Sequence, residues 1–300
     1  YGYDSGISTG NVLSYTLTDI PQATTTYIRV AATNAGGESM PSEVVAIRTP
    51  AYGDWKTRVL IVSGYDLVSS AQCPTQVLPV GTIKRQITSR INSYDYMIQH
   101  ASAVSAAGMA FDSSSNEAVE NGSVSLASYD AVLWFCGNEY TPEITFSAAE
   151  QAIVTAYLNG GGRIFVSGAH IATDLDNQNR GRTFYQNVLG ARYQTGSAGT
   201  SRARGKASTI LSDVAQFTFG TGDAPYTVSS SDVILPQTGG STILEYVGRT
   251  ITSAGVAFTT PTYKTVVFGP PFESITPAST RNAIMVRVLG AAILLAALAG

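Results

Sequence analysis

The sequence predicts an α/β protein with a mainly parallel sheet, preceded by a short all-β segment. Three observations carry this. From Arg58 onward, buried-strand runs alternate with helical runs, the pattern of parallel strands joined by crossover helices. Between Tyr129 and Leu175 one strand–helix–strand unit is legible almost residue by residue. Residues 1–49 instead carry short alternating runs separated by turn residues, with no helical period.

Taken in order, Val12-Leu-Ser-Tyr-Thr-Leu, Thr26–Ala32 and Val44–Arg48 are expected strands of the first segment, and residues 50–57 a linker. Arg58-Val-Leu-Ile-Val-Ser-Gly opens the α/β part, which runs over 58–300, and it exits abruptly at Gly64-Tyr65-Asp66. Tyr94–Ala107 reads as a helix, with Tyr96, Met97, His100 and Val104 at helical spacing. Ala110-Phe-Asp-Ser-Ser-Ser-Asn reads as a loop at a strand end. Asp130-Ala-Val-Leu-Trp-Phe is a buried strand. Ser147 caps an amphipathic helix that Gly160-Gly-Gly stops, and Arg163-Ile-Phe-Val-Ser-Gly is a strand running into Ala169-His170-Ile171. After Gly190 the pattern is irregular and β-like through Val256–Thr260 and Lys264–Gly269. A last helix is expected with Thr276 as N-cap and Pro277 at its first position.

Composition narrows the function classes. With 44% hydrophobic residues the chain can bury a large core, while charged residues are only 13%. A net charge of -3 and a pI near 5.4 give no electrostatic footprint for nucleic acid. The apolar run from Val288 to Gly300 is short of the ~20 residues a spanning helix needs, so no transmembrane span is expected. Two cysteines, Cys73 and Cys136, exclude a disulfide framework but could form one bridge near strand ends. No cofactor motif is present. Asp174-Leu-Asp176-Asn177 has calcium-ligand residue types without the glycine and distal glutamate of an EF-hand loop, so the metal reading stays open.

Open α/β sheets bind ligands at the carboxyl ends of their strands. Those ends offer Asp66, Asp112, Asn116, Glu117, Asn138, Ser167 and Asp174 as cleft residues, and Glu139, His170 and Glu273 as candidates for chemistry. His170 paired with Glu139 would be a general base. Glu139 with Glu273, or with Asp66, would be a carboxylate pair for glycosidic chemistry.

The α/β part resembles the class I glutamine amidotransferase-like, flavodoxin-like fold. The whole chain resembles the tail region of secreted bacterial proteins of the xanthan lyase-like and N-acetylmuramoyl-L-alanine amidase-like kinds. The residues that carry this are Gly64-Tyr-Asp, Tyr94-Asp-Tyr-Met-Ile-Gln-His, Phe111-Asp-Ser-Ser-Ser-Asn-Glu-Ala-Val, Phe165-Val-Ser-Gly-Ala-His-Ile-Ala-Thr-Asp-Leu and Phe268-Gly-Pro-Pro-Phe-Glu. Residues 1–49 resemble the second half of a fibronectin type III domain, through Tyr27 as a tyrosine corner and Asn34-Ala-Gly-Gly-Glu-Ser-Met-Pro-Ser. The resemblance implies a longer multidomain protein, secreted or at the cell surface.

The same resemblance weighs against triad chemistry. Ala169 stands where a nucleophile would be, and the late strand ends in Gly269-Pro270-Pro271 where a histidine would be. The residues therefore favour a non-catalytic module for surface attachment, assembly or glycan contact, with an extracellular glycan or a neighbouring surface domain as partner. A hydrolase or lyase acting on polysaccharide or peptidoglycan through Glu139 and His170 is the alternative. A homo-oligomeric polymer subunit is the third reading.

Overall fold

The computed structural model describes residues 6–39, 41–52, 59–67, 75–84, 96–140, 144–250 and 252–293. Twelve strands form one mixed sheet. They are β1 (Thr25–Ile28), β2 (Val45–Arg48), β3 (Val59–Ser63), β4 (Phe111–Ser115), β5 (Ala131–Gly137), β6 (Arg163–Gly168), β7 (Arg202–Gly205), β8 (Phe217–Phe219), β9 (Gly240–Tyr246), β10 (Ser253–Thr259), β11 (Lys264–Phe268) and β12 (Ile275–Thr276). Their order across the sheet is β1-β2-β4-β3-β5-β6-β11-β10-β9-β7-β8-β12. Only β4, β3, β5, β6 and β11 run parallel; every other pairing in the sheet is antiparallel. The sheet is therefore mixed, which corrects the expectation of a mainly parallel one.

The first segment is corrected more sharply. No separate sandwich forms among the described residues of 1–49. Strand β2 joins the main sheet instead, pairing Arg48 with Phe111 of β4, and β1 pairs outside it. Val12 and Leu13, expected in a strand, lie outside regular structure and are exposed. Tyr27, expected as a tyrosine corner, turns toward the α/β part. Its hydroxyl is 3.4 Å from Ser102 Oγ, and its ring packs against the core of the α/β part. Alternating hydrophobicity specifies a strand but not the strand it pairs with, so a sheet edge and a separate sandwich carry the same pattern.

Four helices flank the parallel strands: α1 (Met97–Ala106), α2 (Asn116–Glu120), α3 (Ala148–Asn159) and α4 (Ala278–Arg287). Because strand side chains alternate, Val59 and Ile61 join one core with Met97, Ala101 and Val104 of α1 and Ile284 and Met285 of α4. Leu60 and Val62 join a second core with Val154, Tyr157 and Leu158 of α3. Helix α3 begins with a reciprocal cap: Glu150 N–H donates to Ser147 Oγ (3.2 Å) and Ser147 N–H donates to Glu150 Oε2 (2.6 Å). It ends at Gly160, and Gly161 follows with φ of +96°, so the glycine run does stop it. Ala110–Asn116 supplies β4 and the start of α2 rather than a loop. Helix α4 starts one residue later than expected, with Pro277 as N-cap, because Thr276 is held in β12 opposite Thr218. Among the described residues no helix is long and apolar enough to cross a membrane.

Candidate functional site

Numbered along the chain, the five parallel strands lie in the order 2-1-3-4-5. The connections diverge between β3 and β5, and a crevice is expected beyond their carboxyl ends. Here it is filled. Gly137, at φ +52°, closes β5, and the ring of Tyr65 lies directly on it, where any Cβ would collide. Tyr65 stacks on Tyr96 at 5.2 Å and packs on Tyr226 at 5.6 Å; Tyr96 and Tyr226 meet edge-on at 4.9 Å. Beside this plug, the Asp66 N–H donates to Glu139 Oε2 (3.0 Å), which ties the β3 and β5 exits together.

Glu273 is fully buried beneath the tyrosines. Its Oε1 accepts from the Tyr226 hydroxyl (2.5 Å), and its Oε2 lies 3.2 Å from His100 Nε2. The His100 ring lies flat on Phe135 at 4.3 Å, which fixes its plane. Burial and the adjacent Glu273 carboxylate push the Tyr226 phenol well above its ordinary range, so it donates a proton rather than losing one. The structure thus joins Glu273 to His100, where sequence reasoning placed it with Glu139. The signal was present: His100 is one of two histidines and sits on the apolar stripe of its helix. Nothing in the sequence marks Tyr226 as its neighbour.

The Ala169 turn is also internally satisfied. Ala169 N–H donates to Gly137 O (2.8 Å), and Asp232 N–H donates to Ala169 O (2.8 Å). The Asp232 carboxyl sits at the start of a short helical turn, Thr173–Asn177, accepting from Thr173 N–H (2.7 Å) and Thr173 Oγ1 (2.5 Å). Two N–H donors at this turn, those of Ala169 and Thr173, are therefore occupied by Gly137 O and the Asp232 carboxyl. Burial raises the Asp232 carboxyl to about 7, against the lowering effect of those bonds. His170 faces the edge of Tyr140 at 6.2 Å, and burial lowers its pKa, favouring the neutral ring. Asp232 lies in the irregular stretch after Gly190, where the sequence offered no period to place it.

The remaining predicted residues scatter. Asp112 lies inside β4 and accepts from the Tyr129 hydroxyl (3.0 Å). Asn116 Nδ2 donates to Glu150 Oε1 (2.9 Å), while its Oδ1 and that of Asn138 are buried without partners. Ser167 Oγ is likewise buried and unpartnered. Asp66 and Glu117 are exposed and share a negative patch with Glu43, whose carboxyl is raised to about 7 by burial, then by Glu117 and Asp66. Sequence reasoning missed Glu43 because it assigned that residue to a separate domain.

The calcium-type stretch is structural. Asp174 accepts from Thr145 N–H, Thr145 Oγ1 and Arg180, and Asp176 from Arg182, Gln186 and Tyr193 N–H. Among the described residues no group of three or more acid, His or Cys side chains is arranged to hold a metal ion. Cys136 is a free, buried thiol, so it makes no bridge to Cys73, which lies outside the described residues. At the opposite end of the strands a groove of about 700 Å³ runs between α2 and α3, lined by Tyr129, Tyr157 and Gly160–Gly162.

No family model and no curated protein matches the chain. Among solved structures it is similar to a cold-adapted β-galactosidase from Rahnella sp. R3, with TM-score 0.52 and 14% identity over 78% of this chain and 31% of that one. A β-galactosidase from Bacillus circulans sp. alkalophilus aligns with TM-score 0.47 and 12% identity over 78% of this chain and 30% of that one. A carbohydrate deacetylase, Agd3, aligns with TM-score 0.39 and 11% identity over 78% and 32%. The chain spans about a third of the length of these structures. With β2 paired into the main sheet, these findings overturn the resemblance to fibronectin type III and glutamine amidotransferase-like modules of xanthan lyase-like proteins. The likeness to the Rahnella enzyme concerns the fold alone.

Proposed function

We propose that this chain is a carbohydrate-contacting module that does not itself hydrolyse its ligand. The observation that carries the reading is the tyrosine cluster at the divergence of β3 and β5. Partly exposed Tyr96 and Tyr226 are side chains of the kind that stack on sugar rings, at the edge where such sheets take ligands. The acids nearest that edge are engaged internally, Glu273 with His100 and Tyr226, and Glu139 with the Asp66 backbone. The fold likeness to the Rahnella β-galactosidase makes a galactoside the first ligand to try.

Titration with a β-1,4-galacto-oligosaccharide, followed by calorimetry and product analysis, tests this. Binding without turnover is expected, weakened by about tenfold in Tyr226→Ala through loss of one stacking face. Turnover abolished by His170→Ala or Glu139→Gln would replace the reading with a hydrolase. Absence of binding to this and to other neutral oligosaccharides would end it.

A further inference from the structure

Strand β7 lies in the antiparallel half of the sheet, between β9 and β8. Its residues alternate between core and solvent: Ala203 and Gly205 are buried, Arg202 and Arg204 exposed. Ala203 joins the same core as α1, so both arginines project from the opposite face of the sheet. Lys206 extends the row by one step, its N–H donating to Ile243 O (2.9 Å) and its side chain partly exposed. Strand geometry sets successive members of this row ~6.7 Å apart.

A fourth cation joins from the neighbouring turn. Val247 N–H donates to Arg202 O (3.0 Å), which brings Gly248 and Arg249 beside the row. Gly199, at φ +59°, has no Cβ, and the Arg249 guanidinium takes that space, its Nη2 2.5 Å from where a Cβ would stand. Among the described residues one carboxylate lies within ion-pair distance of any of the four, that of Glu245 opposite Arg204. It is shared, 3.6 Å from Arg204 Nη2 and 3.7 Å from Lys206 Nζ, both longer than a charge-assisted hydrogen bond. Among the described residues the Arg202 and Arg249 guanidiniums have neither a hydrogen-bond nor an ion-pair partner. In a chain of net charge -3, this strip is a local reversal of sign.

We propose that this strip is a docking surface for an acidic polysaccharide whose sugars carry carboxylates, a polyuronate. The saccharide part rests on the functional reading given above; the anionic part rests on the strip alone. Guanidinium forks take carboxylates through two parallel hydrogen bonds. Thr218, opposite Arg202, and Thr276, opposite Thr218, add a pair of hydroxyls to the same face. No aromatic side chain stands in the rows Arg202–Thr218–Thr276 or Arg204–Glu245, so unpaired bases have nothing there to stack on. Charge density also separates the two polyanions. Duplex DNA carries one charge per ~1.7 Å and would meet a net negative chain beyond the strip. A polyuronate carries one charge per sugar ring, a sparser spacing that this row can follow.

The test titrates the full chain with hexagalacturonate in a calorimeter, over a series of salt concentrations. Binding is expected at low salt, with log Kd rising linearly with the logarithm of salt concentration. Arg202→Ser combined with Arg249→Ser should weaken it about tenfold. Glu245→Gln should tighten it, because Arg204 and Lys206 lose their shared counter-charge. Arg204→Ser is the second variant should the double substitution not fold. Three results would each overturn the proposal: no binding at low salt, binding that none of these substitutions moves, and equal binding of a duplex DNA of the same charge. The β-1,4-galacto-oligosaccharide separates this surface from the tyrosine edge, since the arginine variant should leave its affinity unchanged. Hexagalacturonate binding lost in Tyr226→Ala and kept in the arginine variant would move the acidic glycan to the tyrosines and overturn the strip. Hexagalacturonate binding with the arginine effect intact, and no binding of neutral oligosaccharides, sinks the reading at the tyrosines while the strip stands.

Discussion

The two faces of the five parallel strands come from the same residues taken alternately, yet they are chemically different. Toward α3, Leu60, Val62, Trp134, Val166 and Val267 pack as an apolar layer. Toward α1, the same strands contribute Ser63, Phe135 and Ser167 to a layer that also buries His100 and Glu273. The α3 face is closed by a helix that joins the adjacent strands β5 and β6. The α1 face is assembled from distant segments: His100 and Glu273 are 173 residues apart, and Tyr226 comes from a third place. On the α1 face, long-range assembly brings a histidine, a carboxylate and a phenol into one buried network.

The contrast can be broken experimentally. The largest effect is expected on the α3 face, where Trp134→Ala should cost about 3–5 kcal/mol in chemical denaturation; a loss below about 1 kcal/mol would mean that the α3 layer is not close-packed. On the polar face, Glu273→Gln should cost about 1–3 kcal/mol, because one partner of a buried network becomes mismatched. A neutral outcome there would show that the His100 pairing contributes nothing to stability.

Asp232 sharpens the comparison through pH. Its carboxyl is raised from 3.8 to about 7 on folding, so the native chain binds more protons than the unfolded one across that interval. Stability from this group is then fully present below about 4 and declines as pH rises through about 7, by at most about 1.4 kcal/mol per pH unit. Asp232→Asn should flatten that slope in denaturation midpoints measured from pH 4 to pH 8, and an unchanged slope would assign it to Glu43 or elsewhere. The smallest effect belongs to Ser147→Ala, which removes the α3 cap for about 1 kcal/mol; no change in thermal midpoint would show that Glu150 alone secures that turn.

The same division explains what the sequence made legible. The unit from Asp130 to Gly168 was readable because each of its signals is local: an apolar run, a Ser-x-x-Glu cap, a glycine stop. Residues 1–49 were misassigned because a strand's period is the same whether it joins its own sandwich or the edge of another sheet. That error concealed Glu43, which belongs beside Asp66 and Glu117. Glu273 was recognised as a strand-end acid, but its partner could not be, since no local pattern links it to a histidine on α1. Asp232 left no trace at all, because its role is set by the Thr173 backbone it caps.

What closes the crevice between β3 and β5 is side chain and not backbone. Gly137 provides a flat seat, and a single phenol ring rests on it. Truncating Tyr65 would therefore remove the stopper without touching a strand, a turn or a ladder hydrogen bond. Such a scaffold could be re-engineered as a receptor: a rigid socket with a glycine floor, two remaining tyrosines as walls, and a buried imidazole–carboxylate couple set behind them.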